Sequence, residues 1–200
     1  MNQLTLGRIR SGLRDYRPVR LSSTENCAWA SVALVLHPNP EVRDEIELLF
    51  IRRARKEGDP WSGHMAFPGG RNEISDTDLL HTAQRETFEE VGIDLSVHGE
   101  LLASLDDVVS PVRTDGSSLA IRPYVFLCMD KLSLKPNHEV ARCYWFSLKD
   151  LMDPSLRETF PYRWKDQDVR LPVIRIDDAD IWGISLRMLE SFLRVSEGAL

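Results

Sequence analysis

The order of apolar runs and turn signals predicts a single mixed α/β domain. Three observations carry that expectation. Trp29 to Leu36 is a near-continuous apolar run, as a strand buried on both faces requires. Leu79 to Val91 reads as a helix, and Gly92 stands where a left-handed C-terminal cap belongs. A closing helix follows from about Ile184 to Val195, with Leu186, Leu189 and Leu193 along its apolar face. At 200 residues the chain can bury a core without a disulfide or structural metal.

Taken in order, residues 1–28 read as an N-terminal helix or arm ahead of one globular domain at 29–200. Leu6, Ile9 and Leu13 recur at helical spacing and Pro18 stops the pattern. Arg8, Arg10, Arg14, Arg17 and Arg20 face only Asp15 and Glu25, a composition shared with mitochondrial presequences. The amphipathic helix is the preferred reading of the two. His37-Pro38-Asn39-Pro40 is a turn signal between the first strand and a second at Glu47 to Arg52, a hairpin pattern. Residues 53–70, rich in charge, Gly and Pro, read as loop. Further strands are expected near 100–105, 121–128 and 141–147.

Composition narrows the function classes. Charged residues make up 28% and apolar residues 42%, which excludes wholesale disorder. The longest convincing apolar run, Ala30 to Leu36, is far short of the ~18 residues a membrane span needs. A net charge of −6 argues against broad electrostatic capture of nucleic acid. Cys27, Cys128 and Cys143 form no CxxC pair, so a reducing, cytoplasmic setting is expected. The expected partner is a small molecule, with neither nucleic acid nor membrane, and a homodimer is left open.

The chemistry sits in Phe67-Pro68-Gly69-Gly70, a loop, and Arg85-Glu86-Thr87-Phe88-Glu89-Glu90-Val91-Gly92-Ile93. At about 100° per residue, Glu86, Glu89 and Glu90 fall within an arc of about 100°, beside a stripe of Leu80, Ala83, Thr87 and Val91 that can face a core. Carboxylates so close repel unless a cation or a proton compensates them. A cluster of hard oxygen ligands suits Mg²⁺ or Mn²⁺, and Mg²⁺ commonly also takes substrate phosphates. Alone, three glutamates on a helix read as a solvated face and Pro-Gly-Gly as a turn. Their order favours a site, because a Gly-Gly turn can bring a bare carbonyl to the carboxylates.

These residues resemble the signature of the Nudix hydrolases: Gly, five residues, Glu, seven residues, then Arg-Glu-apolar-x-Glu-Glu-x-Gly-apolar. Arg85, Glu86, Glu89, Glu90, Gly92 and Ile93 match its second half, with Thr87 at an apolar position. Gly70 lies fifteen positions before Arg85 rather than fourteen, and only Asp76 or Asp78 can stand in for the first Glu. The resemblance implies an α/β/α Nudix sandwich with a mixed sheet and a loop–helix–loop catalytic motif. It implies metal-dependent hydrolysis of a nucleoside diphosphate derivative. Glu86, Glu89, Glu90 and the carbonyl of Gly70 or Gly69 would hold Mg²⁺ or Mn²⁺. Glu89 or Glu90 would also serve as base, and Arg85 would orient a glutamate on its helix.

Leu48, Leu49, Arg52, Ala54, Gly63 and Phe67-Pro68-Gly69-Gly70 further resemble a motif of the coenzyme A pyrophosphatase branch. Phe50 stands where that motif has Thr, Arg53 and Arg55 where it has Ser, and Asp59 where it has Arg. Softer likenesses follow at Ser110-Pro111, Ile121 to Val125, Glu139-Val140, Trp145 to Leu148 and Ile181-Trp182-Gly183-Ile184. The branch implies cleavage of coenzyme A or acyl-coenzyme A to 3′,5′-ADP and (acyl-)phosphopantetheine, with Arg52, Arg53, Gly69 and His64 as candidate substrate contacts. Asp106, Asp107 and Glu139 read rather as ordinary surface acids. Rival readings are a hydrolase of ADP-ribose, a dinucleotide or a nucleoside triphosphate, and a nucleotide sensor without activity.

Overall fold

Strand β1 (Cys27–Pro38) runs through the middle of a mixed eight-stranded sheet. In this computed structural model the described residues are 4–21, 27–59, 61–110, 118–130, 132–164 and 167–198. Val32, Leu34 and Leu36 of β1 enter one core while Ala33 and Val35 enter the other. That is why the run is apolar at every position: a strand covered on both faces has no polar side.

Its partners follow from the turns. Strand β2 (Ile46–Arg53) returns antiparallel, with Leu36 opposite Leu48, as the hairpin pattern predicts. Asn39 closes the connection, its side-chain oxygen accepting from the amides of Glu41 (2.8 Å) and Val42 (3.1 Å). The segment 53–70 is not all loop: β3 (Met65–Ala66) pairs with β2, and β4 (Gly69–Arg71) pairs with β1. These strands are two and three residues long, too short for any periodicity to show. Strands β5 (Glu100–Ser104), β6 (Val108–Val109) and β7 (Ser118–Leu127) extend the sheet beyond β1, and β7 runs parallel to it. Strand β8 (Val140–Ser147) pairs with β2.

Helices cover both faces. Helix α1 (Leu6–Arg14) buries Ile9 and Leu13 in the same core as α5 (Gly183–Ser196). Gly12 permits that packing, since a Cβ there would sit 2.9 Å from the Ser196 carbonyl oxygen. On the opposite face lie α2 (Leu79–Val91) and the short α3 (Leu95–His98); α4 (Leu148–Leu151) follows β8. Periodicity along the chain also gave no sign of a second sheet. Strands β9 (Arg157–Trp164), β10 (Gln167–Ile176) and β11 (Ala179–Trp182) form a separate antiparallel sheet. Its strands mix Arg, Asp, Pro and aromatics, so no long apolar run betrays them. Pro111 of the Ser110-Pro111 likeness lies outside the described residues.

Candidate active site

The site begins where β4 lies on β1, with Gly69 opposite Val32 and Gly70 opposite Ser31. A Cβ on Gly69 would stand 2.6 Å from Val32 Cα, so only glycine passes the strand at this height. A Cβ on Gly70 would overlap the Glu86 carboxylate, reaching 2.6 Å from Oε2. The turn is thus bare backbone laid against α2, and the Gly69 amide donates to Glu90 Oε2 at 2.8 Å.

Helix α2 is placed by its ends. Asp78 caps the start, accepting from the His81 amide at 2.7 Å, and Gly92 ends it at φ 75°. Its inner face is Thr82, Ala83, Thr87, Glu90 and Val91. Thr87 stands where the signature has an apolar residue, and its hydroxyl is satisfied within the helix by the Ala83 carbonyl at 2.7 Å. The three glutamates do not share one solvated edge. Glu89 has half its side chain exposed (53%), Glu86 15%, and Glu90 as a residue only 2%. Burial pushes the Glu90 carboxyl up to about 8, against the Gly69 amide and with repulsion from Glu86 and Glu139. Burial also raises Glu86, against the charge of Arg85. Glu139 sits at the rim of β8 and acts on both.

Arg85 answers the question of the first acid. Its Nε donates to Asp76 Oδ1 at 2.8 Å and a terminal nitrogen donates to Oδ2 at 2.9 Å. Asp76 also accepts from the Thr82 hydroxyl and the Glu73 amide, each at 2.9 Å. These bonds, those from Arg85 first, hold the buried Asp76 carboxyl well below the ordinary range. Asp78 is occupied as the cap. Asp76 therefore keeps the spacing to Gly70, and the extra residue falls between Asp76 and Arg85. Arg85 further donates to Glu86 Oε1 at 3.0 Å and the Arg71 carbonyl at 3.1 Å, tying helix, loop and turn together.

The upstream arginines part company because successive strand residues face opposite sides. Arg53 lies on the α2 side, where its charge acts on Glu90. It pairs with Asp59 at 2.8 Å, and its Nε is buried with no hydrogen-bond partner among the described residues. Two of the four departures from the branch motif, Arg53 and Asp59, thus form one ion pair. Asp59 lies outside the candidate set read from the sequence, and the paired departure is the signal that points to it. Arg52 points to the other face, donating to Asp178 at 2.8 Å with its guanidinium 5.2 Å from the Tyr144 ring. His64 packs on Trp182, ring centres 4.9 Å apart. Arg55 and Lys56 are exposed. Asp107, read as a surface acid, is inaccessible and bound by Arg122 and Arg20.

The donor set bears on a divalent cation. Among the described residues no three acidic, His or Cys side chains stand close enough together to hold a metal ion as placed. Glu86 is shared with Arg85 and Glu90 with the Gly69 amide. The chemistry of the set nonetheless fits. It is oxygen only, its two inner carboxyls carry a desolvation cost that a cation would offset, and the Gly70 backbone lies against them.

The NUDIX domain family model matches residues 30–166. An uncharacterized protein of Schizosaccharomyces pombe is 39% identical over 54% of this chain, which spans 33% of that protein's length. The human protein named mitochondrial coenzyme A diphosphatase NUDT8 is 30% identical over 82% of this chain and 68% of its own. NudL of Yersinia enterocolitica, an uncharacterized Nudix hydrolase, is 32% identical over 65% of this chain and 60% of its own. A MutT/nudix family protein from Enterococcus faecalis shares the fold, with TM-score 0.56 and 20% identity over 98% of this chain and 73% of its own. Nudix hydrolases need divalent metal ions and act on small nucleoside diphosphate derivatives. No helix among the described residues is long and apolar enough to cross a membrane. With the family model covering most of the chain and its signature glutamates gathered along α2 against a glycine turn, this protein belongs to the Nudix hydrolase family.

Proposed function

We propose that this protein hydrolyses the diphosphate of coenzyme A or its acyl forms, with Mg²⁺ or Mn²⁺, yielding 3′,5′-ADP and (acyl-)phosphopantetheine. The observation that carries the hydrolytic site is the bare Gly69–Gly70 turn laid against Glu86 and Glu90. The coenzyme A reading is supported by the branch-like residues from Leu48 to Gly70 and by the name of the NUDT8 relatives.

The residues divide the work by their burial. Glu86, Glu89, Glu90 and the Gly70 carbonyl would hold the metal ion, which when bound neutralises diphosphate charge and acidifies the attacking water. Glu89, the most solvent-open of the three and 3.4 Å from Arg85, would accept the proton of that water, a reading its 53% side-chain exposure supports. Arg85, locked on Asp76, keeps Glu86 turned to the Gly70 backbone. Arg53 supplies positive charge on the α2 side, where it acts on Glu90, while Asp59 holds its guanidinium in place. Arg52 serves the 3′-phosphate only by exchanging its bond to Asp178. Free thiols at Cys27, Cys128 and Cys143 suit work in a reducing compartment.

The test is a panel of coenzyme A, dephospho-coenzyme A and ADP-ribose with each metal, products identified by mass. Coenzyme A should be cleaved at the diphosphate and most efficiently. If ADP-ribose proves much the best of the three, the substrate reading fails and the family stands.

A further inference from the structure

The sheet β9–β10–β11 carries aromatic side chains that the hydrolytic site does not use. Along β9, Phe160 and Tyr162 are half-buried while Thr159, Pro161 and Arg163 are exposed, so the rings share one face. Across the ladder Phe160 lies opposite Leu171, Tyr162 opposite Val169, and Val173 opposite Trp182, which extends that face over three strands. The rings touch in sequence. Trp182 lies 4.9 Å from His64, 5.2 Å from Phe160 and 5.5 Å from Tyr162 between ring centres. At its lower edge the strip stops at charges, where Arg175 meets Glu158 at 2.6 Å and Asp180 at 3.3 Å.

Four features say what this strip is for. It starts within reach of the active site: the Arg53 amide donates to the His64 carbonyl at 3.0 Å, and four residues lie between His64 and Gly69, a chain span of at most about 18 Å. It is not closed over, since His64, Phe160, Tyr162 and Trp182 are each only half-buried. The His64 ring favours its neutral form, because burial and the Arg53 charge outweigh Asp59, so it adds a flat face and no charge. The rings also tilt by 52–82° from one another, leaving no parallel slot for a planar base. The lining has few groups to read a base edge. Tilted rings with aliphatic partners suit a flexible apolar chain instead.

We propose that the strip of His64, Trp182, Phe160 and Tyr162 binds the extended arm of the diphosphate substrate, its apolar acyl end foremost, in the half that leaves without the nucleotide. This rests on the diphosphatase reading of the α2 site. It adds a physical source of acyl preference: a longer arm covers more of the strip.

The probe is S-octanoyl-phosphopantetheine, which lacks the diphosphate, so that its binding is measured apart from cleavage. Calorimetric titration should show binding to the whole protein, looser by about tenfold in the Phe160→Ser/Tyr162→Ser variant, the order given by losing part of one ring's apolar contact. In case that variant does not fold, the unaltered protein is titrated with acetyl, hexanoyl and decanoyl forms, and affinity should rise along the series. Equal affinity in variant and parent, or a flat series, overturns the proposal. So does gel filtration showing a dimer that the variant splits, since a second copy would then own the strip. Binding of the octanoyl probe without cleavage of coenzyme A would overturn the coenzyme A reading alone.

Discussion

Arg85 holds Asp76 by two parallel hydrogen bonds, 2.8 Å to one oxygen and 2.9 Å to the other, across a loop one residue longer than the signature specifies. The shorter acid still meets the arginine, because the fixed point of the motif is the pairing and the loop absorbs the extra residue. The same guanidinium reaches Glu86, so the pair sets the orientation of a proposed metal ligand.

Asp76→Asn keeps the shape but leaves Arg85 without its main countercharge. We expect activity to fall by about 10–100-fold, the usual cost of losing a residue that orients a ligand. Stability should fall by about 3 kcal/mol, since one partner of a mostly buried pair is removed. Steady-state rates and urea melts read the two effects. Full activity would show that Arg85 holds Glu86 without help.

The two glycines should fail differently. Gly69→Ala sets a Cβ 2.6 Å from Val32 Cα at φ 150°, so the backbone itself must move, and we expect a loss of roughly 2–3 kcal/mol. Gly70→Ala meets the far end of the Glu86 side chain, which can turn aside where a backbone cannot. It should melt near the parent while losing about 10–100-fold in activity through the displaced carboxylate. Thermal melts and rates on both variants decide it, and equal melting temperatures for the pair would refute the distinction.

Glu89→Gln and Glu90→Gln both remove a carboxylate proposed to hold metal or accept a proton. Each should cost at least about 10²-fold in rate. Only Glu90→Gln should raise stability in chelator, because only Glu90 is buried with a charge that its surroundings oppose. Melts in excess chelator compare the two. A stability gain confined to Glu89→Gln would invert the assignment.

Asp107 should contribute to acid sensitivity. Burial alone would raise its carboxyl. Hydrogen bonds from Arg122 at 2.7 and 2.9 Å and from the Leu21 amide at 3.0 Å, with the charges of Arg122 and Arg20, lower it on balance. A carboxylate lowered on folding adds stability above its unfolded pKa of about 3.9, and that stability is lost as pH falls through the folded value. Asp107→Asn should thus be less stable than the parent at pH 7, by about 3 kcal/mol. The gap should close in acid as the parent's carboxylate takes up its proton. Urea melts from neutral to acid pH test this, and a gap unchanged with pH would rule out the ionic account.

The elements legible in the sequence are those whose residues report their own surroundings. The unbroken run of β1 announces burial on both faces, and the pattern from Leu79 to Gly92 announces α2 with its cap. Strands β3 and β4 escaped because their pairing depends on distant strands and on glycines without side chains. The outer sheet escaped because its apolar residues are scattered aromatics, which only ladder register gathers onto one face.

The site divides along the same line. The residue types, the helical spacing of Glu86, Glu89 and Glu90, and the Gly-Gly turn before them are local properties, so the sequence by itself determined the family and the class of chemistry. Which acid meets Arg85, which glutamate is buried, which way Arg52 and Arg53 face and what lies beside His64 were decided only by the tertiary structure. Each depends on groups far apart along the chain, such as Gly69 with Glu90 or His64 with Trp182, brought within a few ångströms by packing. Desolvation, ion pairing and ring contact act through that space, and no spacing along the chain encodes them.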